Sequence, residues 1–342
     1  MTNFVKQTQA LKADRAIGAL TGLALGDALG MPTQSMSHEE IHQAYIRVDG
    51  LVDASPTQPI APSMKAGHVT DDTEQALLVA SLLIDGDGHI DSLELAHRLL
   101  AWEDTMRARG SLDLLGPSTK SALEEIRAGA EYGTTGTEGT TNGAAMRVTP
   151  VGIAIDMREA EAFTRVVRES CMVTHNTTQG FESAALVAGV VSLGINGLDT
   201  LSALELALTE IDRLGSPGHW SPRASVVART QYAHNHARKR NEEDFATWLR
   251  EMVGTSVESN EAVPAAFALT RRYAQQPYKA LIQAANIGGD TDTIGAITGA
   301  MLGATCGVSV FPNTVIEQVM SVSGIDVATP ALELLDVRER AR

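Results

Sequence analysis

Two short segments carry more acid than a helix start needs. In "GHVTDDTEQA", Thr70, Asp71, Asp72 and Thr73 stand before an apolar helical pattern. In "NIGGDTDTIGAITGA", Asp290, Thr291, Asp292 and Thr293 do the same, behind Gly288 and Gly289. One Asp or Thr suffices to cap a helix. Asp71 with Glu74 fits a capping box, the ordinary reading of the first segment taken alone. Four short carboxylates at two helix mouths exceed that need. If the mouths converge, like charges push the carboxylate pKa values up unless cations compensate. Asp and Thr oxygens are hard ligands, suited to Mg²⁺, Ca²⁺ or Mn²⁺ and not to Zn²⁺. Paired ions of this kind polarise a substrate oxygen and activate water.

Something must bring residues so far apart in sequence together. Gly18, Gly22, Gly26 and Gly30 recur every four residues in "IGALTGLALGDALG", and Gly295, Gly299 and Gly303 follow the second acidic segment. Residues four apart share one ridge of a helix. Each interior Gly costs about 1 kcal/mol relative to Ala. Repeating that cost predicts a groove into which a second helix sinks, with these two helices neighbouring each other at the centre. Helical apolar spacing recurs in "EQALLVASLLI", "FESAALVAGVVSLGI" and "LSALELALTEIDRL", and strand patterns are scarce. The expected class is all-α. The motifs lie on both sides of the polar stretch 215–222, so a single domain over residues 1–342 is expected.

The totals narrow the function. The formal charge is −15, which disfavours nucleic acid and anionic membrane surfaces. Trp102, Trp220 and Trp248 are scattered and form no evident stacking platform for bases. Thr293 to Val315 is uncharged but rich in Gly, Ala, Thr and Ser, the pattern of a buried helix and its loop. Two lone cysteines, Cys171 and Cys306, make neither a disulfide framework nor a zinc knuckle. The N-terminal segment has no apolar run of the signal-peptide kind. A cytoplasmic protein, monomeric or weakly oligomeric, is expected.

Taken together, "GALTGLALGDALGMPTQ", "GHVTDDTEQALLVA", "TNGAAMRVTPVGI", "THNTTQGFESAALVAG", "ESNEAVPAAFALT" and "NIGGDTDTIGAITGAMLGA" resemble the ADP-ribosylglycohydrolases across nearly the whole chain. The resemblance implies an orthogonal multi-helix bundle with two Mg²⁺ ions, or Mn²⁺. Family ligands fall on Thr70, Asp71, Asp72, Asp290, Asp292 and Thr293. The implied reaction is hydrolysis of an N- or O-glycosidic bond at the anomeric carbon of an ADP-ribosyl group, on a protein side chain or a small conjugate. Asp71, Asp72, Asp290 and the side chain at position 34 take the catalytic roles.

One departure stands out. The family commonly has a glutamate four residues past the last Gly of its GDALG-type motif, and here that residue is Gln34. An amide cannot act as a base, though it orients water or a hydroxyl. Glu39 and Glu40 lie close, with the wrong spacing for a simple exchange. Alternatives therefore stay open: a glycosidase for a nucleoside-like substrate, or an attenuated protein that binds ADP-ribose. The Gly-rich loop of Asn142, Gly143, Ala144 and Met146 is placed by the family against ribose and diphosphate. Its Asn142–Gly143 pair reads as a turn, and Pro150 ends whatever element follows it. Arg147 is expected either at phosphate or paired with a buried carboxylate. His175 becomes a substrate-contact candidate through the resemblance. "LGPSTKSALEEI" reads as a helix capped by Ser118, with Gly116 in a loop that borders the cleft. Asp27 divides evenly between a cap and support of the metal site.

Overall fold

A computed structural model describes residues 2–108, 115–131 and 133–340. Among the described residues the chain forms seventeen α-helices and no β-strand. Eight of them position the site or lie beneath it: α1 (Thr2–Gly30), α2 (Asp71–Asp85), α3 (Pro117–Arg127), α4 (Gly143–Met146), α5 (Thr178–Ile195), α6 (Ser259–Arg272), α7 (Pro277–Ala284) and α8 (Thr291–Cys306).

The glycine ridges meet as expected. α1 and α8 run antiparallel, with Gly18 against Gly303, Gly22 against Gly299, and Gly26 against Gly295. A Cβ at any of these positions would overlap the carbonyl of the facing glycine. Backbone sits on backbone, a separation that side chains prevent elsewhere. The last ridge member, Gly30, lies against the backbone of Thr291 and Asp292. The ridge thus fixes the register between the end of α1 and the start of α8, and so between Asp27, Gln34 and the second acidic segment.

α8 is buried from Thr291 to Thr305. The uncharged run is therefore a core helix followed by a loop. α5 packs beside it and is buried along nearly its whole length. By length and composition α5 alone among the described helices is apolar enough to cross a membrane, and 89% of it is covered by the rest of the protein. Cys171 and Cys306 are free thiols.

Candidate active site

The two acidic mouths converge, and neither uses its own side chains as caps. Thr70 and Asp290 are the N-cap residues of α2 and α8, and neither makes a side-chain cap hydrogen bond. α2 opens at Asp71, so Asp71, Asp72 and Thr73 lie in its first turn and not before it. The capping box of Asp71 and Glu74 does not form. Glu74 instead accepts from the Trp102 indole, and Asp71 accepts from Gln75 Nε2 at 2.9 Å. The cap comes from another helix. Asp27 of α1 accepts from the Thr70 amide at 3.0 Å and hydroxyl at 2.7 Å, and from the Thr73 amide at 3.1 Å. Asp27 is fully buried, and burial pushes its pKa up to about 6 against the pull of these donors. Asp27 thus caps α2 from another helix and at the same time holds the hydroxyl of Thr70, a candidate metal ligand. Because the Thr70 hydroxyl donates to Asp27, its lone pairs stay available to a cation.

The second mouth is held by backbone. Gly288 and Gly289 both have φ of +84°, the left-handed region where a side chain is strained. The turn lets Gly289 pair with Met36, while the Asp290 amide donates to Thr255 O at 2.7 Å. Asn142 Nδ2 donates to Asp290 Oδ2. Across the gap Thr293 Oγ1 donates to Asp72 Oδ2 at 3.2 Å, a contact between residues 221 positions apart.

Asp72 Oδ1 is buried with no hydrogen-bond partner among the described residues. Burial first, then the charges of Asp292, Asp71, Asp27 and Asp290, drive the Asp72 pKa well above the carboxylate range. Asp290 is also pushed up by burial, moderated by donors from Asn142 and Thr293. An unpartnered buried carboxylate oxygen beside like charges is costly unless a cation sits there. Among the described residues no group of three His, Cys, Asp or Glu side chains forms a ready-made cage. The oxygens come from Asp interleaved with Thr. That donor set fits a hard divalent ion and lacks the sulfur and imidazole that zinc prefers.

A cavity of about 250 Å³ opens over this cluster. Its lining includes Gln34, Asp71, Asp290, Asp292 and Thr293 together with Leu115, Gly116, Thr119, Asn142, Gly143 and Met146. Asp72 lies just beneath the wall. Gln34 is 6% exposed, and its Nε2 is buried without a partner. Gln58 donates from below to the Gln34 carbonyl at 3.0 Å and so holds that backbone in place. Glu40 is not a substitute base. It closes a capping box with Ser37 on the exposed start of the next helix, accepting from the Ser37 amide at 2.7 Å.

Several expected contact residues are not at the wall. Ala144, Arg147 and His175 are sealed behind it, each 0% exposed. Arg147 faces neither phosphate nor a directly paired carboxylate. It donates to Gln75 Oε1 at 3.2 Å and to Thr174 Oγ1 at 2.6 Å. His175 shares its ring nitrogens between Thr174 Oγ1 at 2.8 Å and Thr141 Oγ1 at 3.0 Å. Burial and the Arg147 charge hold His175 neutral, with its pKa well below the usual value. A polar chain therefore runs from Asp71 through Gln75, Arg147, Thr174 and His175 to Thr141, and supports the site from within. Ser118 does not cap α3, whose N-cap is Gly116, and it lines a neighbouring groove. Asn142 opens the single-turn α4, and Pro150 sits in the first turn of the helix Thr149–Ala154. Gln75, Gln58, Thr119 and Val257 were not singled out in the sequence, because none belongs to an acidic or glycine-rich pattern.

The sequence model of the ADP-ribosylglycohydrolase family matches residues 8–341. The uncharacterized protein YegU of Escherichia coli (strain K12) is 31% identical over 332 residues, covering 96% of this chain and 99% of the relative. The ADP-ribosylarginine hydrolase Tri1 of Pseudomonas putida (strain GB-1) is 27% identical over 90% of this chain and 74% of its own. A solved ADP-ribosylglycohydrolase-related protein complex superposes with a TM-score of 0.70 at 22% identity, over 96% of this chain and 99% of that one, which matches the fold.

Proposed function

The chain belongs to the ADP-ribosylglycohydrolase family, and from that premise we propose that it cleaves the glycosidic bond of an ADP-ribosyl group on a protein side chain or small conjugate, with divalent ions held between its two acidic mouths. Family membership carries the reaction class, hydrolysis of an ADP-ribosyl linkage. The observation that carries the metal reading is the buried, unpartnered Asp72 oxygen among four further carboxylates. Thr70, Asp71, Asp72, Asp290, Asp292 and Thr293 would hold two Mg²⁺ or Mn²⁺ ions. When bound, such ions supply Lewis acidity and cancel the clustered negative charge.

The residues of the chain do the positioning. Asp27 anchors the first mouth, so that Asp71 and Asp72 need not cap their own helix. Asn142 turns Asp290, and Thr293 ties the mouths together. Gly116, Gly143 and Met146 also line the cavity; a Cβ at Gly116 would meet open space, whereas one at Gly143 would meet the His175 ring behind the wall. Gln34 presents an amide to the cavity. It orients a water or a sugar hydroxyl but takes no proton from it. That feature favours a second reading, an attenuated enzyme or ADP-ribose binder.

The test incubates pure protein, with Mg²⁺, Mn²⁺ or EDTA, on ADP-ribosyl-arginine, ADP-ribosyl-serine and a panel of nucleosides, and follows the freed sugar by chromatography. Metal-dependent release of ADP-ribose from a conjugate is the expected result. Release only from nucleosides supports the smaller substrate class. Metal-dependent ADP-ribose binding without release supports the attenuated reading. Release that EDTA leaves untouched ends the metal proposal.

A further inference from the structure

α6 begins at the acidic cavity and ends, about 21 Å further on, at a second cavity of opposite charge. This cavity, about 280 Å³, lies between the C-terminal end of α6 and the N-terminal end of α7. Its wall carries Arg238, Arg240, Arg272 and Lys279 against one carboxylate, Glu242, in a chain whose formal charge is −15.

The cations are held, not merely gathered. Arg272 donates from Nη1 to Ala237 O at 3.0 Å and Arg240 O at 2.9 Å, and its guanidinium lies 4.5 Å from the Phe245 ring centroid. Arg240 donates to His236 O at 3.0 Å and lies 4.4 Å from the Trp248 centroid. Aromatic faces and carbonyls fix both guanidinium groups in advance, so a ligand meets little ordering cost.

A further observation points to a ligand. Tyr273 lines the cavity, is only 5% exposed, and its hydroxyl is buried with no hydrogen-bond partner among the described residues. Arg272 Nε is buried and unpartnered as well. Gln276, the N-cap of α7, also lines the cavity and makes no side-chain cap bond, so the positive end of that helix adds to the field. Around one carboxylate, already paired with Lys279, the remaining guanidinium groups favour an acceptor with several oxygens and more than one negative charge.

We propose that this cavity is a second binding site, for a phosphate or diphosphate group of a small molecule. It stands apart from the glycosidic-bond chemistry and holds whether or not that reading does. Isothermal titration tests it in EDTA, at constant ionic strength set with chloride, using orthophosphate, pyrophosphate and ADP. Saturable one-to-one binding is expected for at least one of the three. A preference for ADP over pyrophosphate assigns the group to a nucleotide, and equal affinity assigns it to the free anion. Arg240→Gln combined with Lys279→Gln is expected to weaken binding roughly tenfold or more, and Asp290→Asn to leave it unchanged. The exposed Arg238→Gln, which spares the packing, should weaken it by a smaller factor in a protein with an unaltered melting temperature. No saturable heat up to about 10 mM, or equal affinity in all variants, overturns the proposal. So does binding of polyglutamate with no response to any of the three phosphates.

Discussion

At one end of α6, Thr255 and Val257 meet the acidic site, where burial pushes Asp72 and Asp290 up and neighbouring carboxylates push Asp72 further. At the other end, burial first and the Arg271 charge second push the pKa of His234 down to about 4. Each end therefore penalises its charged forms, but each treats the penalty differently. The basic end answers from within the chain, with aromatic faces, backbone carbonyls and Glu242. Lys and Arg are absent from the described lining of the acidic cavity, and an Asp72 oxygen there is left without a donor. The basic end thus meets part of its charge from within the chain, whereas the acidic cavity has no cation of its own among the described lining, and the proposed divalent ions would supply it.

The sharpest way to break this contrast is Asp72→Asn. It should lower metal-dependent turnover by about 10³-fold, since Lewis-acid stabilisation of several kcal/mol is lost. Steady-state kinetics across a Mg²⁺ series checks this, and wild-type turnover in the variant would remove the acidic end from the chemistry. Gln34→Glu comes next. Restoring a proton acceptor in the cavity should raise the rate by about 10²-fold, read from kcat under saturating metal. An unchanged kcat would mean that another group already does that work.

A smaller effect separates the register of the acidic end from the basic end. Gly26→Ala drives a methyl into the Gly295 carbonyl and should destabilise the fold by about 2 kcal/mol. Urea denaturation measures it, and Mg²⁺ affinity should fall while any anion binding between α6 and α7 persists.

The smallest effects lie in the pH dependence. Asp27, at about 6 in the fold against 3.8 unperturbed, keeps a proton that the unfolded chain has released, so its contribution to metal-free stability falls as pH rises through that window. His234, at about 4 against 6.5, works the other way: the unfolded chain takes up a proton first, and stability is lost as pH falls from 6.5 toward 4. Asp72 and Asp290, also pushed up by burial, add to the Asp27 slope, so melting temperatures in EDTA should rise as pH falls from 6 toward 4, with His234 reducing the gain. His234→Gln should leave only the acidic-end slope, with stability rising on acidification. With Mg²⁺ present, stabilisation should grow with pH, because protons and cations compete for the same carboxylates.

Much of the site was legible in the sequence, for reasons particular to each residue. The glycine ridges predicted the packing of α1 on α8, since a repeated helical cost requires a repeated close approach. The surplus of Asp over capping need at 71–72 and 290–292 predicted convergence. Gln34 was singled out through the family resemblance, which expects a glutamate four residues past the last ridge glycine, and it lines the cavity. Other features were misread where a local rule met a stronger distant partner. Asp71 and Glu74 look like a capping box, but Asp27 had already taken the amides of α2. Ser118 looks like a cap, but Gly116 and Pro117 start the helix first. Arg147 and His175 sit in motifs that border the site, yet their side chains turn inward to Gln75, Thr174 and Thr141. The basic cavity was not legible because the short basic run 238–240 is joined by Arg272 and Lys279 only in the fold.

By itself, then, the sequence determined the helical class, the two acidic mouths and the glycine contact that aligns them. Each of these follows from periodicity or composition within a few turns of one chain segment. Only the tertiary structure decided which carboxylate caps and which stays open, and which side chains reach the cavity. Those outcomes depend on the direction of each side chain and on a competition among partners tens to hundreds of residues away. No local pattern encodes the winner of that competition.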